Sequence, residues 1–101
     1  MKHNIFCIYD SAAAAYLPIF MMHRDEMAKR AFGDCVNRKD HAFCQHPDQY
    51  TLFRVGEFFD SDAKIVPCAP VSLGNGLEYK TLFDPSGYIV EESDLKSGGT
   101  E

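Results

Sequence analysis

The sequence has little of what marks several large classes of protein, and positive charge is the first of these. Its 101 residues carry a formal net charge of −5, and the pI is about 5.2. Domains that coat duplex DNA through bulk charge usually have a pI above about 9. Any contact with nucleic acid must therefore be local rather than spread over the whole surface.

Closely spaced cysteines are also missing. Cys7, Cys35, Cys44 and Cys68 are far apart and form no C-x-x-C pair. Neither a disulfide framework nor a zinc site is therefore indicated, and we expect reduced, mostly structural thiols.

Long apolar runs are absent as well. No positively charged segment followed by an apolar one opens the chain, and the longest apolar run, residues 12–22, contains Tyr16 and Pro18. Such a run is too short to cross a bilayer, so we expect a soluble cytosolic protein with no membrane partner. No internal repeat is evident.

Length and composition predict one small domain, because 46% of the residues are hydrophobic and domains of about 100–150 residues are common. We assign this domain to residues 1–77. Residues 78–101 are interpreted as an extension, a possible edge strand followed by an acidic disordered tail. The extension has two lysines and six acidic residues, a charge of 2 − 6 = −4, which leaves the rest near −1.

The most informative segment is residues 50–66, which predicts a β-hairpin. Its first strand, residues 50–59, alternates two partly apolar faces that are rich in aromatic side chains, and residues 60–62 are turn formers. Gly56 inside this strand predicts a bulge or a close backbone approach that would re-aim Arg54 and Phe58.

The other segments complete an α+β fold. Residues 3–9 predict a central strand, residues 12–15 a connector and residues 18–22 a short strand. Residues 24–36 have helical periodicity, with an apolar stripe expected to face the sheet. The stripe consists of Met27, Ala28, Ala31, Phe32, Cys35 and Val36. The result is a small antiparallel sheet of order β-β-α-β-β with one helix packed on one face.

The remaining segments are predicted from turn chemistry and polarity. Residues 37–47 are polar and predict an exposed loop. Pro67 is expected to end the second strand of the hairpin. Residues 70–73 are a possible edge strand, residues 74–76 a strong turn, and residues 79–83 a possible last strand.

Aromatic and basic side chains are interleaved in the hairpin, and a basic cluster lies on the outer face of the predicted helix and beside its ends. Bases stack on aromatic rings at about 1–3 kcal/mol each and cations follow phosphates, so this mixture suits single-stranded DNA. The candidate nucleic-acid-binding residues are Arg24, Lys29, Arg30, Arg38, Lys39, Tyr50, Phe53, Arg54, Phe59 and Lys64. Alternatively, the aromatic residues form the core and the cations a solvated helix face.

The polar loop raises two further possibilities that we do not adopt. His41, Cys44 and His46, with Cys35 upstream, are types that bind zinc, but their spacing matches no ligand template, and incidental histidines explain them. Cys44 beside Asp40 or His41 could act as a thiol nucleophile, but no third group would orient the base. We predict no enzyme activity, no metal and no cofactor.

Several spaced segments carry a family resemblance over roughly residues 4–70. They are Ile8-Tyr9-Asp10, Pro18-Ile19-Phe20, Arg24-Asp25-Glu26 with Ala28, Arg30-Ala31-Phe32, Pro47-Asp48-Gln49-Tyr50-Thr51-Leu52 and Val55-Gly56-Glu57-Phe58. This pattern resembles the small non-structural protein of gokushoviruses, which are bacteriophages with single-stranded DNA genomes. The chain departs from it at Arg24, where the family has a helix-capping asparagine, and in the longer loop of residues 37–47.

The resemblance implies a protein of the host bacterial cytoplasm that binds single-stranded DNA during genome single-strand synthesis or packaging. The alternative is an interaction module that acts on the replication initiator, the procapsid or a host factor without touching DNA. Net charge favours this alternative. We also expect a homodimer, because one helix can cover only one of the two apolar faces of the hairpin.

Overall fold

The computed structural model describes residues 1–81, and the predicted acidic tail lies outside the described residues. The strands are β1 Lys2–Asp10, β2 Ala15–Tyr16, β3 Phe20–Met22, β4 Tyr50–Phe59 and β5 Lys64–Asn75. The helices are α1 Asp25–Val36, α2 Ala42–Gln45 and α3 Gly76–Tyr79, and a single 3-10 turn covers Pro47–Gln49. The predicted α+β class is confirmed.

All five strands form one antiparallel sheet in the order β2-β1-β4-β5, and β3 also pairs with β1. β2 pairs with residues 9–10 of β1 and β3 with residues 4–6, so the two short strands share one side of β1. β4 occupies the other side of β1 along its whole length. The predicted central position of the first strand is confirmed.

The core lies between one face of the sheet and the helices. Its buried members are Phe6, Ile8, Ala28, Phe32, Val36, Phe43, Tyr50 and Leu52. Ala28, Phe32 and Val36 recur every four residues on α1, so a single face of the helix meets the sheet. Asp25 and Glu26 occupy its first turn, where carboxylates complement the helix dipole.

The hairpin and its bulge are confirmed. Phe6 pairs with Arg54 and the adjacent Ile5 pairs with Gly56, so Val55 is an extra residue in β4. A Cβ at Gly56 would lie 2.8 Å from the carbonyl oxygen of Val66 in β5, the close approach that the sequence predicted. One inserted residue reverses the alternation, so residues beyond Gly56 face the opposite way from a regular strand.

Several predictions about the elements are wrong. Met27 is 41% exposed and does not join the face of α1 that meets the sheet. Residues 37–47 are not simply an exposed loop, because they contain α2, whose Phe43 is buried in the core. β5 does not end at Pro67 or turn at residues 74–76, but runs to Asn75. An edge strand tolerates proline, because the missing amide can face outward.

A further correction concerns residues 79–83. Tyr79 ends α3 and is not in a strand; its hydroxyl donates to the carbonyl of Leu73 at 2.6 Å, and its ring lies 5.2 Å from that of Phe32. Residues 82–83 lie outside the described residues. The predicted domain boundary after residue 77 stays a prediction.

Candidate nucleic-acid interface

The two faces of the sheet have different neighbours. The side-chain amide of Asn4 in β1 donates to the carboxylate of Asp25 at 2.9 Å, and Arg54 in β4 forms an ion pair with the same carboxylate. These contacts fix the face that α1 covers, because Asp25 is the first residue of α1. Side chains alternate along a strand, so the even-numbered residues Asn4, Phe6 and Ile8 face α1, and the odd-numbered residues of β1 face the opposite side of the sheet.

We call that other side the open face. Its members are assigned by alternation, by strand register and by ring contacts, and no element within residues 1–81 packs on it. The aromatic, apolar and histidine members are His3, Ile5, Cys7, Tyr9, Tyr16, Met21, Phe53, Phe58 and Ile65, and the register adds Thr51, Gly56, Pro67, Ser72 and Asn75. The bulge in β4 matters here, because it places Phe58 on the same face as Phe53 although five residues separate them.

Aromatic side chains gather near the two ends of the open face. At one end the ring of Tyr16 lies 4.8 Å from that of Tyr9 and 5.9 Å from that of Phe53. At the other end the ring of His3 lies 6.0 Å from that of Phe58 and 4.4 Å from that of His23. Each group offers ring faces and edges that could stack against further planar groups.

The middle of the open face is apolar and its rim is accessible. Ile5 and Cys7 lie in the central strand and are only 5% and 4% exposed. Burial also raises the pKa of the Cys7 thiol. In contrast, Tyr16 is 52% exposed, Met21 49% and Ile65 61%. A ligand would therefore meet the rings and the rim before it met Ile5 or Cys7.

Charged groups at the hairpin end neutralise one another. Asp60 pairs with the N-terminal amine of Met1, and its second oxygen lies 3.1 Å from Nε2 of His3. These hydrogen bonds, the one from Met1 first, lower the pKa of Asp60. Their stabilising effect is thus present above the ordinary Asp pKa of about 3.9, and is lost as the pH falls through the lowered value.

The structure separates the candidates that the hairpin sequence grouped together. Phe53 lies on the open face. Tyr50 is buried in the core, where its ring lies 4.4 Å from that of Phe43, so it is not available for stacking. Arg54 is held by Asp25 under the helix. Phe59 and Lys64 pair across the hairpin end, and alternation places them on the helix side.

The basic cluster also lies away from the open face. Lys29 and Arg30 are exposed on α1, and Arg24 is exposed at the residue before the helix. Arg38 and Lys39 are exposed just after it, and Nε of Arg38 lies 3.7 Å from the carboxylate of Asp40. Since α1 covers the opposite side of the sheet from Phe53, the structure does not bring these cations and the open-face rings together.

Sequence reasoning missed several members of the open face. The sequence predicts no strand at Tyr16, because a two-residue strand leaves no periodic signal. Tyr9 was assigned to an alternating strand, but its contact with Tyr16 depends on strand register. Phe58 is not among the predicted binding residues, and the predicted bulge at Gly56 is the signal that could have placed it beside Phe53.

The cysteine and histidine residues of the loop have local partners. Nδ1 of His41 accepts a hydrogen bond from the amide of Phe43 at 3.1 Å and caps α2. Nζ of Lys80 lies 2.9 Å from Sγ of Cys44. Within residues 1–81, no three His, Cys, Asp or Glu side chains are grouped so as to hold a metal ion.

The chain matches a protein-family model. The family is described as Phage ORF5 protein, and its model matches residues 3–79, which cover the described strands and helices except Lys2, the first residue of β1. No curated protein and no solved structure matches the chain. In the part of the chain that the structure describes, no helix has the length and apolar character needed to cross a membrane.

Proposed function

This chain belongs to the Phage ORF5 protein family and is therefore a bacteriophage protein, and we propose that it binds single-stranded DNA on the open face. The bases would stack on Tyr9, Tyr16, Phe53 and Phe58 without strong sequence preference. With this activity the protein would take part in single-strand synthesis or packaging of a gokushovirus-type genome, in the cytoplasm of the host bacterium.

The observation that carries this proposal is the set of aromatic rings on a sheet face that nothing in residues 1–81 covers. Stacking of one base on an aromatic side chain contributes about 1–3 kcal/mol, and every base has a π-face, so such a surface binds with little sequence preference. A four-stranded sheet whose exposed aromatic side chains stack two or three bases is a recurring design in single-strand recognition.

The charge distribution predicts an unusual salt dependence. Within residues 1–81, no residue assigned to the open face is a lysine or an arginine, and Lys2 at the hairpin end pairs with Glu57 at 3.0 Å. For single strands the slope of log K against log salt is about −0.7 per neutralised phosphate. Binding by stacking should therefore give a slope of about −1 or shallower, whereas binding by the five cations of the basic cluster would give about −3.5.

Fluorescence anisotropy with a labelled oligothymidylate over a salt series tests the proposal. Phe53→Ser and Tyr16→Ser should each weaken binding by about 5- to 150-fold, the equivalent of one stacked base. The matched control is Leu77→Ser, since Leu77 is 60% exposed on α3 and lies outside the open face. A second control, Lys29→Gln with Arg30→Gln, should leave affinity nearly unchanged.

Two results would count against DNA binding at the open face. No binding at low salt would reject DNA binding altogether. A slope near −3.5 with loss of binding in the Lys29→Gln, Arg30→Gln variant would move the site to α1.

A second candidate function is a protein interaction module that contacts the replication initiator, the procapsid or a host factor. The absence of lysine and arginine from the open face favours it, as does the net charge of −5. A pull-down from infected cells distinguishes the two functions. Recovery of DNA that disappears when a co-purifying protein is removed would favour the interaction module, and recovery of DNA with the purified chain alone would favour direct binding.

A further inference from the structure

We propose that a second copy of this chain covers the open face when no DNA is bound, so that self-association and DNA binding compete. The two sheets would pack face to face as a sandwich, about 10 Å apart. Self-association follows from the fold alone, whereas the competition rests on the proposed DNA binding. The occupant is inferred from three properties of the sheet: its edges, its charge and its area.

Both edges of the sheet are unsuited to pairing with another chain. β5 forms one edge and contains Pro67 and Pro70, which cannot donate to a further strand. The other edge is divided between β2 and β3, which have two and three residues. Short edge strands and prolines are the devices that prevent edge-to-edge association. A second copy therefore meets this sheet at its face.

The open face suits a copy of itself because, within residues 1–81, the residues assigned to it include no aspartate, glutamate, lysine or arginine, and Asp60 at its end is paired with the Met1 amine. Two such faces can meet without burying an unpaired charge, which would oppose association strongly. Tyr16, Met21 and Ile65 are each about half exposed or more, so apolar area remains to be buried. Contiguous apolar surface of this kind marks an interaction site on a small protein.

The size of the face also fits a dimer. The sheet is four strands wide, at about 4.8 Å per strand, and β1 is nine residues long, at a rise of about 3.3 Å per residue. The face is therefore roughly 19 × 30 Å, a flat area of about 570 Å². Accessible area exceeds flat area because side chains project from the sheet. A stable interface buries about 800 Å² per partner. The whole open face is thus about the area that one partner of this size would cover.

Competition follows because the same rings serve both ligands. If Tyr16 and Phe53 stack on bases, a second sheet cannot pack on them, and the reverse is also true. A ligand that binds only one of two states shifts the population towards that state. DNA should therefore dissociate the dimer, and protein concentration should weaken the apparent affinity for DNA once the dimer predominates.

The test is analytical ultracentrifugation of the full chain at micromolar concentration, with and without a short oligothymidylate. Without DNA we expect twice the chain mass of 11.4 kDa, and with excess DNA one chain per oligonucleotide. Met21→Lys places a charge on the open face beside Ile5, its partner in the register. It should raise the dimer dissociation constant tenfold or more, because the second sheet would have to bury an unpaired charge.

Leu77→Lys is the matched control. Both parent side chains are exposed, Met21 at 49% and Leu77 at 60%, so both variants should fold, but Leu77 lies outside the open face. The dimer dissociation constant of the Leu77→Lys variant should equal that of the parent protein. A free chain that remains a monomer, or a dimer that Met21→Lys and Leu77→Lys affect equally, would overturn self-association through this face.

DNA binding by an intact dimer would overturn the competition. A dimer that Met21→Lys dissociates, in a chain that binds no DNA, would instead reject both the proposed function and the competition while supporting self-association. These experiments therefore distinguish a failure of the proposed DNA binding from a failure of the proposed self-association.

Discussion

Replacing Gly56 by alanine should destabilise the protein because two backbones meet at this glycine. An added Cβ would lie 2.8 Å from the carbonyl oxygen of Val66 and 3.2 Å from Cα of Pro67. Both atoms belong to the main chain of β5, so neither can move aside as a flexible side chain would. Overpacking of this kind costs about 1–3 kcal/mol. Lower chain entropy in the unfolded state offsets about 0.4–1 kcal/mol, leaving a net loss of about 1–2 kcal/mol.

The same substitution at Gly33 should have the opposite effect. Gly33 lies inside α1, and its added Cβ would lie 3.4 Å from Cδ1 of Tyr79, an ordinary van der Waals contact. Alanine is favoured over glycine in a helix by about 0.8–1.0 kcal/mol. Gly33→Ala should therefore stabilise the protein by up to about 1 kcal/mol.

Urea denaturation followed by circular dichroism compares the two variants directly. With an m-value of about 1–2 kcal/mol per molar urea, Gly56→Ala should lower the midpoint by about 1 M and Gly33→Ala should raise it by about 0.5 M. Because Gly56 follows the bulge that aims Phe58, its variant should also bind oligothymidylate more weakly. Equal midpoints for Gly56→Ala and the parent would contradict the close approach of β4 and β5.

Three further outcomes are expected. Asp25→Ala should cost about 1–2 kcal/mol in urea denaturation, because it leaves the partly buried Arg54 without its ion-pair partner; an unchanged midpoint would refute that role. Ala63 has a φ of 62°, so Ala63→Gly should raise stability by up to about 1 kcal/mol, and a loss would contradict this left-handed conformation. Cys68 is exposed, whereas burial raises the pKa of Cys7, so a thiol reagent should label Cys68 first at pH 8, and equal rates would be inconsistent with the burial of Cys7.

The parts of the fold that depend on local pattern could be predicted from the sequence. The alternation of residues 3–9 and 50–59 predicted the strands, and the period of residues 24–36 predicted α1. Gly56 predicted the bulge, because a glycine within a strand favours close backbone approach. Each of these signals lies within a few neighbouring residues. It can therefore be recognised without knowing which strands pair.

The parts that depend on pairing between distant segments could not be predicted. Tyr50 and Phe53 belong to opposite faces, but only the position of α1 decides which face is buried. Pro67 looked like the end of a strand because the sequence does not show that β5 lies at the edge of the sheet. Phe43 looked exposed in a polar loop, although one short helix brings it against Phe32 and Tyr50.

The structure separates residues that the sequence grouped into one candidate site. Aromatic side chains on an uncovered sheet face were expected, and Phe53 lies on such a face. The cations expected beside them lie on α1 or next to its ends, in an ion pair with Asp25, or, for Lys64, on the helix side of the hairpin end. The helix and the open face are on opposite sides of the sheet. Charge proximity along the chain is therefore a poor guide to charge proximity on this surface.

The most direct test of DNA binding on the open face is NMR chemical-shift mapping of the labelled chain with an unlabelled oligothymidylate. The proposed function predicts that the largest changes occur at the rings and amides of Tyr16, Phe53 and Phe58, while Lys29 and Arg30 on α1 remain nearly unchanged. Changes that are largest along α1, with Tyr16 and Phe53 unaffected, would contradict it.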